Sequence, residues 1–370
     1  MSRVLVIGSG AIAREHVRAA IALGCEVQLA ARNRAAAEAL RSELGPVKLA
    51  ASIEHFLTSP PRDDDVVIVT TPPDSHLAFV QRALASGRHV LCEKPLVASA
   101  AELAELDRLI ASSDHQLGCC SGRFLHYPTS ARAKELLAEG AIGAPYHATF
   151  VHKSRRNRPG IEYQPGSYWF LDRKTAGGGV LLDWAAYDLG LLNWVLDVVE
   201  LEVLHAFVAR PETALSLPSG VVYDVEAHAG ATLRLRTARS DQVTVSYERS
   251  AATHGEQREL VEIEGTRGAL RWDWLPWQNG GRMALVHTTD ADGTPREERR
   301  EWAAAGVQYW HARPLAAFRE HLAGRAVEVP AGRRALFNLA CVFAIYQAAT
   351  EGRPVRVRRA EDAASGFSAP

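Results

Sequence analysis

A glycine-rich turn near the start of the chain has the composition of a nucleotide-binding motif. The apolar run Val4–Ile7 leads into Gly8-Ser9-Gly10-Ala11-Ile12-Ala13, and a segment with helical spacing of apolar residues follows and ends at Gly24. In this context the first glycine makes the turn, the second lets a pyrophosphate approach the backbone, and the third position needs only a small side chain. We therefore predict that a dinucleotide cofactor binds at Gly8, Ser9, Gly10, Ala11 and Ile12.

The loop after the second predicted strand, Glu26–Ala31, lacks an acidic residue. It reads Arg32-Asn33-Arg34, whereas folds that select NAD place a carboxylate there to accept a hydrogen bond from the ribose 2′-OH. Two arginines can instead pair with a 2′-phosphate. We predict that Arg32, Asn33 and Arg34 bind the cofactor and that NADP(H) is preferred, with NAD(H) as the second choice. The alternative is a solvated arginine loop.

Two more polar segments follow predicted strands. Thr71-Pro72-Pro73-Asp74-Ser75-His76 follows Val66–Thr70, and Glu93-Lys94-Pro95 follows His89–Cys92. The carboxyl ends of parallel strands meet at the edge of the sheet where cofactors bind. The proline after Lys94 favours extended backbone at the lysine, which suits a side chain that must meet a reacting oxygen. The alternative is a solvated lysine at a strand end.

A helix predicted after Gly177-Gly178-Gly179 carries Asp183 and Tyr187. Their i,i+4 spacing puts both side chains on one helical face, so both can point at one crevice. The alternative is a tyrosine packed into the core with its hydroxyl group hydrogen-bonded there.

Alternating strand and helix patterns organise the first third of the chain. The strands are short and almost continuously apolar, and a segment with helical spacing follows nearly every one. This is typical of a parallel sheet covered on both faces, which right-handed crossovers make doubly wound. After residue 122 the pattern changes to strands separated by turn residues, which is typical of an antiparallel sheet. We therefore predict an α/β chain with an NAD(P)-binding Rossmann domain at 1–122 and a substrate-binding and oligomerisation domain at 123–370.

Charge and composition exclude several classes of protein. The 370 residues include 42 basic and 43 acidic ones, for a net charge of -1, so no global field draws the chain to nucleic acid or to an anionic membrane. The absence of an eighteen-residue apolar run and of a signal-peptide layout predicts a cytoplasmic protein. Five scattered cysteines match neither a disulfide framework nor a zinc motif, so we predict no metal site.

Five motifs occur in order along the chain: the glycine turn, Thr71-Pro72 to His76, Glu93-Lys94-Pro95, Ser121-Gly122-Arg123-Phe124, and Gly177-Gly178-Gly179 with Asp183. Together they resemble the glucose-fructose oxidoreductase / inositol dehydrogenase / MocA-type (Gfo/Idh/MocA) family. The resemblance implies an N-terminal Rossmann domain and a C-terminal α/β domain with an open-faced, largely antiparallel sheet. It also implies redox chemistry by a pyridine nucleotide on a sugar or cyclitol carbon.

The same resemblance implies roles for single residues. Lys94 is expected beside the nicotinamide and the substrate as a catalytic residue. The family usually has a histidine four residues after the aspartate, and Tyr187 takes that place here, as in some sugar-acting members. Asp183 is expected to position the substrate, while either Lys94 or Tyr187 moves the proton. Five other residues are expected to contact the cofactor: Thr71, Pro72, His76, Glu93 and Arg123.

Two further features fit a sugar substrate. Arg156, in the run Lys153–Arg158, could hold an anionic group, although such charged runs are usually solvated loops. Trp169 could stack on a sugar ring. Three tryptophans near a strand end are expected in the core or in a subunit interface: Trp272, Trp274 and Trp277.

These observations predict an NADP(H)-dependent oxidoreductase that interconverts a secondary alcohol and a ketone on a sugar, a sugar derivative or a cyclitol. One alternative is a nucleotide-binding regulator without turnover, against which the presence of Lys94 and Asp183 argues. The other is a reductase of imines or double bonds. The uncovered face of an open sheet predicts a homodimer or homotetramer.

Overall fold

The computed structural model describes residues 2–155, 166–212, 217–240, 242–290, 293–303 and 310–360. The chain forms two compact units. The first comprises Met1–Arg123, Lys174–Gly177 and Gln308–Leu339, and the second comprises Phe124–Arg173, Gly178–Val307 and Ala340–Pro370. The first stretch ends beside the boundary expected after residue 122. The segment Gln308–Leu339, however, belongs to the first unit, whereas the sequence assigned it to the second.

The first unit contains a parallel sheet. Its strands are β1 (Arg3–Ile7), β2 (Glu26–Ala30), β3 (Lys48–Leu49), β4 (Val66–Val69), β5 (His89–Cys92) and β6 (Leu117–Cys119). Among the described residues they pair in the order β3-β2-β1-β4-β5-β6. The helices between them are α1 (Ala11–Ala22), α2 (Arg34–Leu44), α3 (Ile53–Thr58), α4 (His76–Ala85) and α5 (Ala100–Ala111). The doubly wound parallel sheet predicted from the sequence is confirmed.

Burial on both faces explains the continuous apolar strands. All four residues of β4 are fully buried, as expected for a parallel sheet covered by helices on each side. Gly8 follows β1 with a φ of +129°, and a Cβ atom there would lie 2.4 Å from Thr70 Oγ1. The turn after β1 therefore requires glycine both for its backbone conformation and for the close approach of β4.

The second unit contains a larger sheet. Its strands are β7 (Pro145–Lys153), β8 (Val198–Ala209), β9 (His228–Thr237), β10 (Val243–Ser250), β11 (Arg258–Gly265), β12 (Gly268–Trp272), β13 (Arg282–Thr289), β14 (Arg296–Ala303) and β15 (Val355–Arg358). In the described residues they pair in the order β14-β13-β12-β11-β7-β10-β9-β8-β15. Strands β7 and β10 run parallel, and the other neighbours run antiparallel.

The remaining helices are α6 (Pro128–Ala138), α7 (Arg173–Ala176), α8 (Val180–Leu196), α9 (Arg313–Leu322) and α10 (Gly332–Glu351). Helix α8 packs on β8, β9 and β10, and all its residues except Trp184 are buried. The opposite face of these strands carries charged side chains, and Glu202 accepts there from Arg234 and Arg356 at 2.9 Å each. The open-faced, largely antiparallel sheet is thus confirmed. In the part of the chain that is described, no helix has both the length and the apolar character to cross a membrane.

Packing explains why the segment Gln308–Leu339 belongs to the first unit. Leu315 and Phe318 of α9 lie in the apolar core that contains the strands of the parallel sheet. A Cβ atom on Gly118 of β6 would lie 2.7 Å from the Phe318 ring, and Cys119 N donates to Pro330 O at 2.8 Å. Because these partners are about 200 residues apart along the chain, no local pattern signals their contact.

Candidate functional site

The glycine turn leaves the first turn of a helix open. Gly8 N donates to Ala30 O at 2.9 Å, which holds the turn against the end of β2. Helix α1 starts at Ala11 with Gly10 as its N-cap, and no described side chain caps it. A Cβ atom on Gly10 would meet no atom within 4 Å. Open backbone N–H groups at such a helix end bind phosphate, so the turn fits the pyrophosphate of a dinucleotide.

The loop after β2 and the start of α2 carry two exposed arginines, Arg32 and Arg34. Asn33 caps α2, since its side chain accepts from Ala36 N at 3.0 Å. Arg34 donates to Ala50 O at 3.0 Å and lies 3.6 Å from a carboxylate. Arg32 is exposed, and within the described residues no ion pair involves it. Arg32, Asn33 and Arg34 are the three residues of this segment that are predicted to bind the cofactor. Arg32 is the best placed of them to contact a 2′-phosphate.

His76 joins the turn after β4 to the segment that carries Lys94. The imidazole is buried, with Nε2 2.7 Å from Thr71 O and Nδ1 2.8 Å from Pro95 O. Burial lowers the pKa of His76, and a neutral imidazole has one N–H to donate. The Lys94–Pro95 peptide bond is cis. In this structure the His76 ring therefore interacts with backbone carbonyl oxygens. Its contact with the cofactor stays a prediction.

A buried ion-pair network holds the residue before Lys94. Glu93 Oε1 lies 2.6 Å from His16 Nε2 and accepts from the Arg123 guanidinium. Glu93 Oε2 accepts from the backbone N–H of Lys94 at 3.2 Å. Burial by itself raises the pKa of the Glu93 carboxyl, but Arg123, His16 and the charge of Lys94 hold it well below its ordinary value. Glu93 is thus a fixed anion that constrains the backbone at the half-buried Lys94.

The same cluster contains three groups that could bind a metal ion. His16, Glu93 and Cys120 each offer one ligand atom, and these atoms lie within 4.8 Å of one another. Arg123 already compensates the carboxylate charge, and burial raises the pKa of the Cys120 thiol well above its ordinary value. We therefore interpret the cluster as an ion-pair network. The sequence did not predict the roles of His16 and Cys120, because neither belongs to a local motif.

Helix α8 of the second unit carries Asp183 and Tyr187. Both side chains are buried, and Tyr187 is only 3% exposed. The Tyr187 ring lies 4.8 Å from the Phe124 ring and 5.6 Å from the Trp184 ring, measured between centroids. Trp184 in turn stacks parallel to His152 at 6.2 Å. The Tyr187 ring is therefore packed against the Phe124 ring and against the Trp184 ring of the same helix.

A distant carboxylate caps the helix that carries these two residues. Glu226 Oε1 accepts from Gly179 N at 2.8 Å and from Leu181 N at 3.1 Å, and the Tyr346 hydroxyl donates to it at 2.6 Å. An acceptor at a helix N-terminus satisfies N–H groups that have no partner within the helix. No local sequence pattern points to Glu226 or Tyr346 as capping residues, because both lie far along the chain from Gly177-Gly178-Gly179.

The glycine run before α8 is required by packing. A Cβ atom on Gly179 would lie 1.8 Å from the backbone oxygen of Glu226. Gly179→Ala is therefore expected to lower the free energy of unfolding by about 1–3 kcal/mol, the usual cost of overpacking. Denaturant unfolding measures this, with Gly166→Ala as the control because a Cβ atom there would meet no atom within 4 Å. Equal midpoints for both variants would contradict the prediction.

Of the two other residues predicted to bind the substrate, the structure describes Trp169 but not Arg156. Trp169 is half-buried and stacks on Phe170, with ring centroids 3.8 Å apart. Arg156 lies outside the described residues, so its role stays a prediction. Trp272 and Trp274 are buried in the core, whereas Trp277 is 41% exposed.

Family models match both parts of the chain. The model described as an oxidoreductase family with an NAD-binding Rossmann fold matches residues 2–119, and the model of the GFO/IDH/MocA C-terminal domain matches residues 130–271. The chain belongs to the GFO/IDH/MocA oxidoreductase family. The resemblance predicted from the five motifs is confirmed, and with it the assignment of an NAD(P)-binding oxidoreductase.

Individual members of the GFO/IDH/MocA family are similar over most of the chain. The 1,5-anhydro-D-fructose reductase of Ensifer adhaerens is 27% identical over 365 residues, which are 96% of this chain and 99% of that protein. The inositol 2-dehydrogenase of Agrobacterium fabrum is 29% identical over 268 residues, 65% of this chain and 72% of that protein. The structure of a levoglucosan dehydrogenase in complex with NADH and levoglucosan matches with a TM-score of 0.77 at 20% identity, covering 97% of this chain and all of that one. At that identity the match establishes the shared fold.

Proposed function

We propose that this GFO/IDH/MocA-family protein is an NADP(H)-dependent oxidoreductase that interconverts a secondary alcohol and a ketone on a sugar, a sugar derivative or a cyclitol. The main observation in support of the proposal is the position of Lys94 and its contact with Glu93. It follows β5 in the unit with the open glycine turn, and the buried carboxylate of Glu93 holds its backbone. The two relatives described above are named for a sugar derivative and a cyclitol, which supports this class of substrate.

Each proposed catalytic residue has one task in this reaction. When bound, the nicotinamide supplies a hydride in reduction and accepts one in oxidation. In the reducing direction Lys94 or Tyr187 donates a proton to the substrate oxygen. Asp183 positions the substrate by accepting hydrogen bonds from its hydroxyl groups. In the oxidising direction the same proton-transfer group accepts the hydroxyl proton.

A substrate panel tests the proposal. Sugars, sugar derivatives and cyclitols are assayed by nicotinamide absorbance with each of the two cofactors in both directions. We expect turnover of at least one ring alcohol or ketone. Cofactor binding without any turnover would favour a regulator, and turnover of imines or double bonds alone would favour the other class of reductase.

The preference for NADP(H) is tested at Arg32. Arg32→Ala is expected to weaken NADPH binding about ten- to a hundredfold, because a charge-assisted hydrogen bond contributes about 1.5–3 kcal/mol. NADH binding should change little. Arg41→Ala is the control, since Arg41 is on α2 and pairs with a carboxylate at 3.0 Å. Fluorescence titration measures both affinities, and tighter binding of NADH than of NADPH by the unchanged protein would contradict the proposal.

We further propose that copies of the chain associate as a homodimer or homotetramer through the open face of the second unit's sheet. Tyr146 on β7 and Phe207 on β8 are 50% and 41% exposed, and covering such apolar area with a second copy of the chain would stabilise the association. Light scattering should return a multiple of the 40.3 kDa chain mass. A single-chain mass at micromolar concentration would contradict this.

A further inference from the structure

Trp277 is unusual among the tryptophans of its segment. Trp272 and Trp274 are 4% and 1% exposed, as expected for core residues, whereas Trp277 is 41% exposed. An indole buries a large apolar area when a partner covers it. The exposed part of the indole offers an apolar face on which a ring of a ligand can stack.

The loop that carries Trp277 is tied down by several hydrogen bonds. The Gln278 side-chain oxygen accepts from Trp274 N and Leu275 N, both at 2.8 Å. The Asp273 carboxylate accepts from the Asn279 side chain at 2.6 Å and from a backbone N–H of β13 at 2.8 Å. The exposed indole is consequently presented by a pre-organised loop, so a ligand that stacks on it loses little binding free energy to ordering that loop.

A chain of aromatic rings connects Trp277 to Tyr187. The Trp277 ring meets the Phe124 ring edge-on, with 5.4 Å between centroids. Phe124 in turn lies 4.8 Å from the Tyr187 ring. One ring therefore separates the exposed indole from the phenol that is a proposed proton donor.

We propose that Trp277 is a substrate-binding residue, whose indole stacks on the C–H face of a neutral sugar or cyclitol ring while the ring's reacting carbon is acted on near Tyr187. This inference rests on the function proposed above and adds a specificity-determining residue to it. Sites for small molecules combine apolar aromatic walls with a few polar groups. Here Phe124 and Trp277 supply the wall, and Asp183 and Tyr187 supply polar groups of the same unit.

Steady-state kinetics with the full chain and the ring substrate found in the panel test the inference. Trp277→Ala is expected to raise KM for that substrate about five- to tenfold, the worth of an aromatic stacking contact, with kcat within about twofold of the unchanged value. Trp277→Phe keeps an aromatic face and should recover most of the loss. Cofactor affinity should be the same in all variants. Val222→Ala, which removes a 50% exposed apolar side chain elsewhere in the second unit, is the control and should leave KM unchanged.

Three outcomes contradict the inference in distinguishable ways. An unchanged KM in Trp277→Ala, with the unchanged protein active, overturns the role of Trp277 and leaves the proposed function standing. A smaller mass of Trp277→Ala in light scattering, together with recovery of normal KM at high protein concentration, identifies Trp277 as an interface residue instead. Absence of turnover of every ring substrate by the unchanged protein overturns the proposed function, and the inference with it.

Discussion

Replacing Lys94 with methionine is expected to lower turnover by about a hundred- to ten-thousandfold, the range for loss of a positioned proton-transfer group. Methionine keeps the length of the side chain and removes its charge and its protons. The Glu93 network contacts the backbone N–H at this position, so it should survive the substitution. Affinity for the cofactor should accordingly stay within a few fold of the unchanged protein.

Single-turnover and steady-state rates, together with cofactor titration, measure this effect. Lys48→Met is the matched control, because Lys48 is an exposed lysine of the same unit that pairs with Glu26 at 2.8 Å. Near-normal turnover in Lys94→Met would remove Lys94 from the mechanism. A large loss of cofactor affinity without a loss of kcat would make Lys94 a binding residue only.

Local sequence patterns predicted those helices and strands in which buried apolar residues form a continuous run or recur at a regular spacing. Strand β4 has four consecutive fully buried apolar residues, and α1 has apolar residues at helical spacing, so both produce a clear periodic signal. Strand β14 has no such signal. Its sequence REERREWA is exposed at nearly every residue, so it has neither alternation nor an apolar run. Only its pairing with β13 makes it a strand.

Only some residues of the proposed site could be predicted from local sequence patterns. The glycine turn, Lys94 and Asp183 belong to short motifs, and a motif can be recognised without knowing the fold. The groups that hold them cannot be recognised in this way. His16 reaches Glu93 across 77 residues, and Glu226 reaches Gly179 across 47 residues. Such pairs depend on how the sheet and helices pack, and neither His16 nor Glu226 belongs to a local motif.

The substitution Tyr187→Phe is expected to lower the rate of ketone reduction by about a hundredfold or more if the phenol donates the proton. Phenylalanine keeps the ring, so contacts with Phe124 and Trp184 at 4.8 and 5.6 Å should be preserved. Stability and cofactor affinity should therefore stay nearly unchanged. Tyr146→Phe is the matched control, because the Tyr146 hydroxyl is exposed and donates to Glu264 at 2.8 Å.

The two candidate donors predict different kinetic patterns for this variant. If Lys94 alone moves the proton, Tyr187 only orients the substrate, and loss of its hydroxyl should raise KM about tenfold, or 1.4 kcal/mol, with little change in kcat. If Tyr187 moves the proton, kcat falls and KM changes little. In that case the double variant with Lys94→Met should be less impaired than the product of the two single losses, because both act on the same proton transfer.

The pH dependence of ketone reduction decides which group titrates. A general acid must be protonated, so the rate falls as pH rises through its apparent pKa in the complex. An unperturbed phenol titrates near pH 10, and a cation nearby would bring that value down. If Tyr187 is the acid, the basic limb of the profile should vanish or move in Tyr187→Phe and stay in place in Tyr146→Phe. A basic limb at the same pH in Tyr187→Phe, with turnover intact, would exclude Tyr187 as the proton donor and leave Lys94 in that role.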